Sequence, residues 1–517
     1  MSPDYNVAIL GAGLGGLGLA HLLLQQGEQS FVILEKSDRV GGTWRDNSYP
    51  GCSCDVAARF YWYSFDKQPD WTRAFAFQPE ILGHIEEMVE RRGMAPHIRF
   101  GAQVVEAAWD EAGQVWHVRM ASGEQIAAWH FVCACGQLSQ PTFRGIEGRE
   151  HFGGISFHSA RWRHDVDLTG QRVAVVGSGA SAAQLTPEVA KIAKHLTVFQ
   201  RTPPYVIPRE DHPFTEEERR LYQTDSAYLQ ASRDAIYHDL ENRFETLKPG
   251  SEVARGAEKL CSDFLEAQVH DPELRDKLRP RYTIGCKRPI ISDDYLATFN
   301  RPNVSLVTER LERIEKDGVR TADGALYEVD AIVYATGFES LKFLDGLRIT
   351  GRGGRSLHQD AWREAPEAYL GMVVAGFPNF FILYGPNTNL NHNSIIAMFE
   401  AQYGYILQAL RLAEENGAAI DLRPEVMAAF NEQLQRGLQE SAFVTGCNSW
   451  YRTKEGRVVT NWWGNVEAYK ARTARLNPME YEVLTADQLA RFSCSSISTA
   501  CSMDPAKVIS PELTKKI

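Results

Sequence analysis

The chain has 517 residues, 44% of them hydrophobic and 23% charged, and a formal net charge of −11. That balance describes a globular protein with room for three domain-sized units, or two with a large insertion, and excludes disorder over most of the length. The acidic charge argues against nucleic acid or an anionic membrane as the main partner, and no apolar run is long enough to cross a bilayer.

The N-terminus leads straight into Val7-Ala8-Ile9-Leu10, a predicted strand that leaves no room for a signal peptide, so a cytoplasmic location is expected. The strand opens into Gly11-Ala12-Gly13-Leu14-Gly15-Gly16 and an apolar helical stretch, Leu17 to Leu24. In such a turn the first glycine (Gly11) permits the bend, the second (Gly13) lets backbone approach a pyrophosphate, and the third (Gly16) admits close helix–strand packing. The phosphates then sit on the N–H groups at the helix N-terminus, the positive end of its dipole. A second predicted strand, Phe31 to Leu34, ends at Glu35, which stands 24 residues after Gly11. Further on, Val104 to Trp109 and Val115 to Met120 predict a strand pair around Asp110–Gly113.

The same logic returns at Val173-Ala174-Val175-Val176, followed by Gly177-Ser178-Gly179-Ala180-Ser181-Ala182, with Ala182 in the third glycine slot. Twenty-four residues after Gly177, at the end of Leu196 to Gln200, stands Arg201 instead of a carboxylate. In a dinucleotide-binding fold this slot meets the adenosine ribose, where a carboxylate accepts from a free 2′-hydroxyl and an arginine neutralises a 2′-phosphate. The first unit is therefore expected to hold a nucleotide with an unmodified ribose, and the second to hold NADPH. Two such nucleotides in one chain point to a flavoenzyme fed by NADPH.

From Phe214 to Arg279 the sequence is charged and helical in period, which reads equally as a helical cap beside a cleft or as a surface elaboration. After Asp330 to Gly337 the chain is expected to return to the first domain, and from about Arg491 little periodicity remains, as in a loose tail. The expected fold is α/β, with two Rossmann-like dinucleotide-binding domains and a helical insertion in the second. Its boundaries are 1–140 for the first part of the FAD domain, 141–335 for the NADPH domain with the insertion at about 210–280, 336–485 for the return, and 486–517 for the tail. The nine cysteines are scattered, and the only close pairs are Cys52-Ser53-Cys54 and Cys133-Ala134-Cys135. Neither has CxxC spacing, so reduced thiols and no metal are expected.

Three further motifs carry a family resemblance. Gly41-Gly42-Thr43-Trp44, then Tyr49-Pro50-Gly51, then Asp55 resembles the fingerprint [AG]GxWxxxx[FY]P[GM]xxxD. Phe152 to Trp162 resembles FxGxxxHxxxW, and Cys286-Lys287-Arg288-Pro289 resembles the Lys-Arg pair that follows a helical insertion. Together they resemble a type I Baeyer–Villiger monooxygenase over about residues 5 to 470. Two departures are Arg163 after the fingerprint tryptophan, where the family usually has Pro or Asp, and Ala57-Ala58-Arg59, where relatives often carry Pro and Ser.

The resemblance implies FAD and NADPH as cofactors, O2 as co-substrate and a small-molecule ketone as substrate, in a monomer or weak homo-oligomer. NADPH reduces FAD, O2 adds to it, and the peroxyflavin attacks the ketone to give an ester or lactone. An anionic peroxide and its adduct need a fixed cation, for which Arg288 is the candidate, oriented by Asp55. Lys287 with Arg201 is implied at the 2′-phosphate, Gly177, Ser178, Gly179, Ala180, Ser181 and Thr202 around the rest of NADPH, and Thr43, Trp44, Tyr61 and Val105 along FAD. His158 reads better as a hydrogen-bonded hinge than as a base. Gly385-Pro386-Asn387, Trp450-Tyr451 and Trp462 resemble segments near flavin and substrate. The alternative is a flavin monooxygenase that oxidises nitrogen or sulfur, whose related fingerprint ends in an aromatic other than Trp162. A pyridine nucleotide–disulfide reductase would need a CxxxxC pair that Cys52-Ser53-Cys54 does not supply. A non-catalytic flavin-binding sensor is opposed only by the retained Asp55, Lys287 and Arg288.

Overall fold

The computed structural model describes residues 3–447 and 449–484; the expected tail at 486–517 lies outside them. The first sheet has eight strands. Its strands β1 (Tyr5–Leu10), β2 (Phe31–Leu34) and β3 (Ile98–Arg99) run parallel, with helix α1 (Leu14–Gln25) crossing from β1 to β2. Val7–Leu10 of β1 and the whole of β2 are continuous apolar runs, buried on both faces. On the other side of β1 lie β6 (Gln125–Cys133), β5 (Val115–Met120) and β4 (Val104–Asp110), the last two forming the antiparallel pair that the sequence predicts. Short strands Arg348–Thr350 and Phe380–Ile382 return late in the chain to pair with β4 and β6.

The second sheet is parallel throughout. It contains β7 (Ile155–His158), β8 (Arg172–Val176) and β9 (His195–Phe199), with the strands Val304–Val307 outside β9 and Ala331–Tyr334 between β7 and β8. Helices α2 (Thr43–Asp46) and α3 (Gln78–Arg91) follow α1 in the first half, and α4 (Ala180–Ile192) makes the crossover from β8 to β9.

The charged stretch after β9 folds into α5 (Glu216–Thr224), α6 (Ser226–Asn242), α7 (Glu252–Gln268) and α8 (Pro272–Leu278). Each begins on a side-chain cap: Thr215, in a capping box with Glu218, then Asp225, Ser251 and Asp271. Helix α6 carries contacts between the insertion and the rest of the chain. Arg233 is buried and donates to Gln68 Oε1 (3.1 Å) and to the Trp62 carbonyl (3.2 Å). Glu241 accepts from Asn393 Nδ2 (2.7 Å) and from Val466 N (3.1 Å). These contacts dock the insertion on the first half of the molecule, and none of the residues of α5 to α8 lines the cavity described below.

One expectation is corrected here. Cys286 and Cys447 form a disulfide across a separation of 161 residues, so these two are not the reduced thiols that the spacing suggests. Cys52, Cys54, Cys133, Cys135 and Cys261 are free. No helix among the described residues is long and apolar enough to cross a membrane.

Candidate functional site

A cavity of about 1360 Å³ runs along the carboxyl ends of both central strands, and both glycine turns form its wall. This is larger than the roughly 300–1,000 Å³ of a single small-molecule site. The two turns are geometric copies. Gly11 has φ +106° and Gly177 has φ +128°, in the left-handed region that favours glycine. A Cβ on Gly11 would lie 2.8 Å from the carbonyl oxygen of Ala134, the residue after β6, and one on Gly177 would lie 2.3 Å from that of Ala335. Gly13 and Gly179 are the N-cap residues of α1 and α4, and neither offers a side chain to the first-turn N–H groups. Those donors face the cavity free to take an anion, which fits the phosphates of a dinucleotide at each turn. Gly16 does not line the cavity; a Cβ there would meet the Gly11 oxygen at 2.1 Å, so its part is the tight packing of α1 on the turn.

The slot residues fall where the spacing puts them. Glu35 follows β2 and lines the cavity, its carboxylate held by Ala12 N (2.9 Å), Ser37 N (3.0 Å) and Arg45 Nη1 (3.0 Å). Arg45 was not among the expected site residues. Arg201 and Thr202 follow β9, and Ser178 Oγ donates to the Thr202 carbonyl at 2.9 Å, tying the turn to the slot. Lys287 faces the same stretch of wall. Its ammonium is pushed below its ordinary pKa by burial first, then by the charges of Arg201 and Arg144.

Between the two turns stands the Asp55–Arg288 pair. Arg288 Nε and Nη2 both donate to Asp55 Oδ2, at 3.0 and 2.6 Å, and Nη1 donates to the Leu390 carbonyl at 3.2 Å. Its pKa is raised above the ordinary arginine value, with Asp55 as the largest cause, so the cation is secured. Tyr384 and Tyr451 lie near this guanidinium. Burial raises the Tyr384 phenol to about 12 against the opposing pull of Arg288, so both rings stay neutral donors at neutral pH. Tyr384 donates to Asn389 Oδ1 (2.8 Å) and Tyr451 to Asn391 Oδ1 (2.7 Å).

The segment that carries Asp55 is clamped by contacts with the second half. Gln184, on α4, accepts from Tyr49 OH (2.9 Å) and donates to the Ser53 carbonyl (3.0 Å). Arg209 donates to Ser53 Oγ and to the Cys54 carbonyl, both at 2.9 Å. Neither residue was expected from the sequence, because each acts on a segment more than 130 positions away. Burial pushes the Cys52 thiol up to about 12 and the Cys54 thiol higher still, which makes both inert as redox groups at neutral pH.

Thr43, Trp44 and Tyr61 line the cavity, with Trp44 Nε1 donating to Tyr61 OH at 3.3 Å. Ala180 and Ser181 also line it. Val105 does not: Gln103 and Val104 form the wall, and the pairing register shifts between Val104 and Glu106. His158 ends β7, away from the cavity wall. Its Nδ1 accepts from Ala160 N (3.1 Å), and burial lowers its pKa to about 4, as a neutral hinge residue requires. Trp450 reaches the cavity, whereas Trp462 is 1% exposed and stacked on Trp463, a core residue.

Comparison with known proteins agrees with this geometry. Residues 9–77 match the NAD(P)-binding Rossmann-like domain family, and residues 91–252 match the L-lysine 6-monooxygenase/L-ornithine 5-monooxygenase family. A Baeyer–Villiger monooxygenase of Pseudomonas aeruginosa is 40% identical, covering 94% of this chain and 93% of its own. A crystal structure of OTEMO in complex with FAD and NADP superposes with a TM-score of 0.84 at 28% identity, over 93% of this chain and 100% of that one. An oxidised steroid monooxygenase bound to NADP gives 0.83 at 32% identity, over 93% and 99%. At 40% identity to the Pseudomonas aeruginosa enzyme over 94% of its length, the chain belongs to the Baeyer–Villiger monooxygenase family.

Proposed function

We propose that this chain holds FAD at the Gly11 turn and NADPH at the Gly177 turn, and that Arg288 is its catalytic cation. Bound FAD supplies oxygen transfer from O2 to a ketone, with NADPH as reductant, and the product is an ester or lactone. The chain's own part is to bind, orient and stabilise charge. The first-turn amides of α1 and α4 receive the two pyrophosphates, and Glu35 receives the unmodified adenosine ribose. Thr43, Trp44 and Tyr61 form the wall along the flavin. Arg201, Thr202 and Lys287 receive the 2′-phosphate.

Arg288 stabilises the negative charge that develops on the attacked carbonyl oxygen. Asp55 fixes the guanidinium plane and leaves Nη1 pointing toward the Asn389–Leu390 wall, so the arginine is preorganised before substrate arrives. Tyr384 and Tyr451, neutral and hydrogen-bonded, stand beside the guanidinium without adding charge. The observation that carries the reading is the Asp55–Arg288 pair set between two phosphate turns of opposite ribose-slot charge. The test is NADPH oxidation by the yellow protein over a ketone panel, with products identified by mass. Ester formation coupled to NADPH consumption supports it; an amine oxide or sulfoxide as the only oxygenated product would replace ketone with nitrogen or sulfur chemistry.

A further inference from the structure

A third cation faces the Arg201–Lys287 stretch of the cavity. Arg144 sits on the connector between β6 and β7, with φ +48°, an uncommon backbone state for a residue with a side chain. The connector is held against the turn that follows strand Ala331–Tyr334. Thr142 N donates to the Gly337 carbonyl (2.9 Å), and Thr336 Oγ1 donates to the Thr142 carbonyl (2.5 Å). Arg144 Nε donates to the Thr336 carbonyl at 2.7 Å, and a Cβ placed on Gly337 would lie 3.5 Å from Arg144 Nη2. Its guanidinium therefore lies across residues 336 and 337, directly after the Ala335 carbonyl against which Gly177 packs. Arg144, Arg201 and Lys287 all line the cavity.

The charges there are unbalanced. None of the three makes an ion pair within 4.0 Å of a carboxylate among the described residues. Arg144 is lowered from its ordinary pKa by burial first and then by Arg201, opposed only by Glu339. Glu339 is itself engaged, accepting from Thr142 Oγ1 at 2.7 Å. Three like charges turned toward one space cost stability until an anion fills it. A phosphate monoester carries close to two negative charges and three strong acceptor oxygens, enough for three cationic arms.

We propose that Arg144 is a third arm of the 2′-phosphate site and sets the preference for NADPH over NADH together with Arg201 and Lys287. This rests on the reading that the second turn binds NADPH. The test uses the purified holoenzyme and its Arg144→Ala and Arg144→Lys variants. KM is measured for NADPH and NADH, and binding of 2′,5′-ADP and 5′-AMP is measured by calorimetry. Arg144→Ala is expected to raise KM for NADPH roughly tenfold to a hundredfold, to leave KM for NADH within about twofold, and to weaken 2′,5′-ADP but not 5′-AMP. Arg144→Lys, which keeps the charge without the fork, recovers part of the loss. If Arg144 only pins the connector through Thr336, both coenzymes weaken together, both adenylates follow, and the proposal is overturned. An unchanged NADPH:NADH ratio in Arg144→Ala overturns it too while leaving the NADPH reading intact. A native enzyme indifferent to the 2′-phosphate would sink both.

Discussion

Replacing Arg288 by alanine separates a catalytic arginine from a structural one, and the geometry sets the size of each effect. Breaking a fully buried ion pair on one side costs about 3–5 kcal/mol, whereas exposed pairs contribute about 0–1 kcal/mol. The Arg288 and Asp55 side chains are 30% and 26% exposed to the cavity, so water reaches the orphaned carboxylate. A stability loss of about 1–2 kcal/mol follows, a fall in Tm of only about 1–2 °C for a chain of this size. The catalytic loss is larger. Removing one preorganised donor from a developing oxyanion costs about 3–4 kcal/mol, or a hundredfold to a thousandfold. Arg288→Ala should therefore fold, keep its yellow colour, and make almost no ester, while NADPH consumption drains into hydrogen peroxide. Parallel measurement of ester, peroxide, NADPH and the thermal melt decides the case. A variant that melts normally and forms ester at the native rate refutes the role; one that fails to fold makes the pair structural.

Other outcomes follow from the same geometry. Acid precipitation should release the flavin into the supernatant, since nothing in the turn or its slot suggests a covalent link; colour remaining in the pellet would contradict this. Arg201→Ala should raise KM for NADPH by roughly tenfold to a hundredfold with little change in kcat, and equal KM values for NADPH and NADH in the native enzyme would remove the assignment. His130 and His158 are buried, with pKa values lowered to about 3 and about 4 by burial. The unfolded chain binds protons there first, so stability is lost as pH falls below about 6.5, by about 1 kcal/mol for each histidine between pH 6.5 and 5.5. His130→Phe should flatten that decline in Tm, and an unchanged slope would mean that other groups control it.

What could be read from the sequence was whatever the backbone enforces locally. Gly11 and Gly177 were legible because a left-handed turn under a neighbouring carbonyl leaves no room for a Cβ, and Glu35 and Arg201 because a strand–helix–strand unit fixes their distance from the turn. Val105 failed for a related reason: side chains alternate along a strand, so an error of one position at an irregular register moves a residue off the wall. Trp462 failed because aromatic character does not distinguish core from cavity lining. Arg144, Gln184 and Arg209 carry no local signal, since each gains its meaning from a segment far away in the chain. The same is true of the Cys286–Cys447 bond, for which no spacing rule applies.

The placement of those distant residues explains why the Asp55–Arg288 pair sits where it does. Asp55 belongs to a segment that leaves the first sheet after α2, and Arg288 to the segment that leaves the helical insertion. Neither sheet contains both. Gln184 and Arg209 hold residues 49–54 against the second half, while Leu390, on the returning part of the first half, accepts from Arg288. Preorganisation of the guanidinium is thus a property of the docked halves rather than of either one. Loosening the Gln184 or Arg209 contacts would misplace the cation without touching a cofactor turn, and a misplacement of about 1 Å is enough to cost a hundredfold in rate.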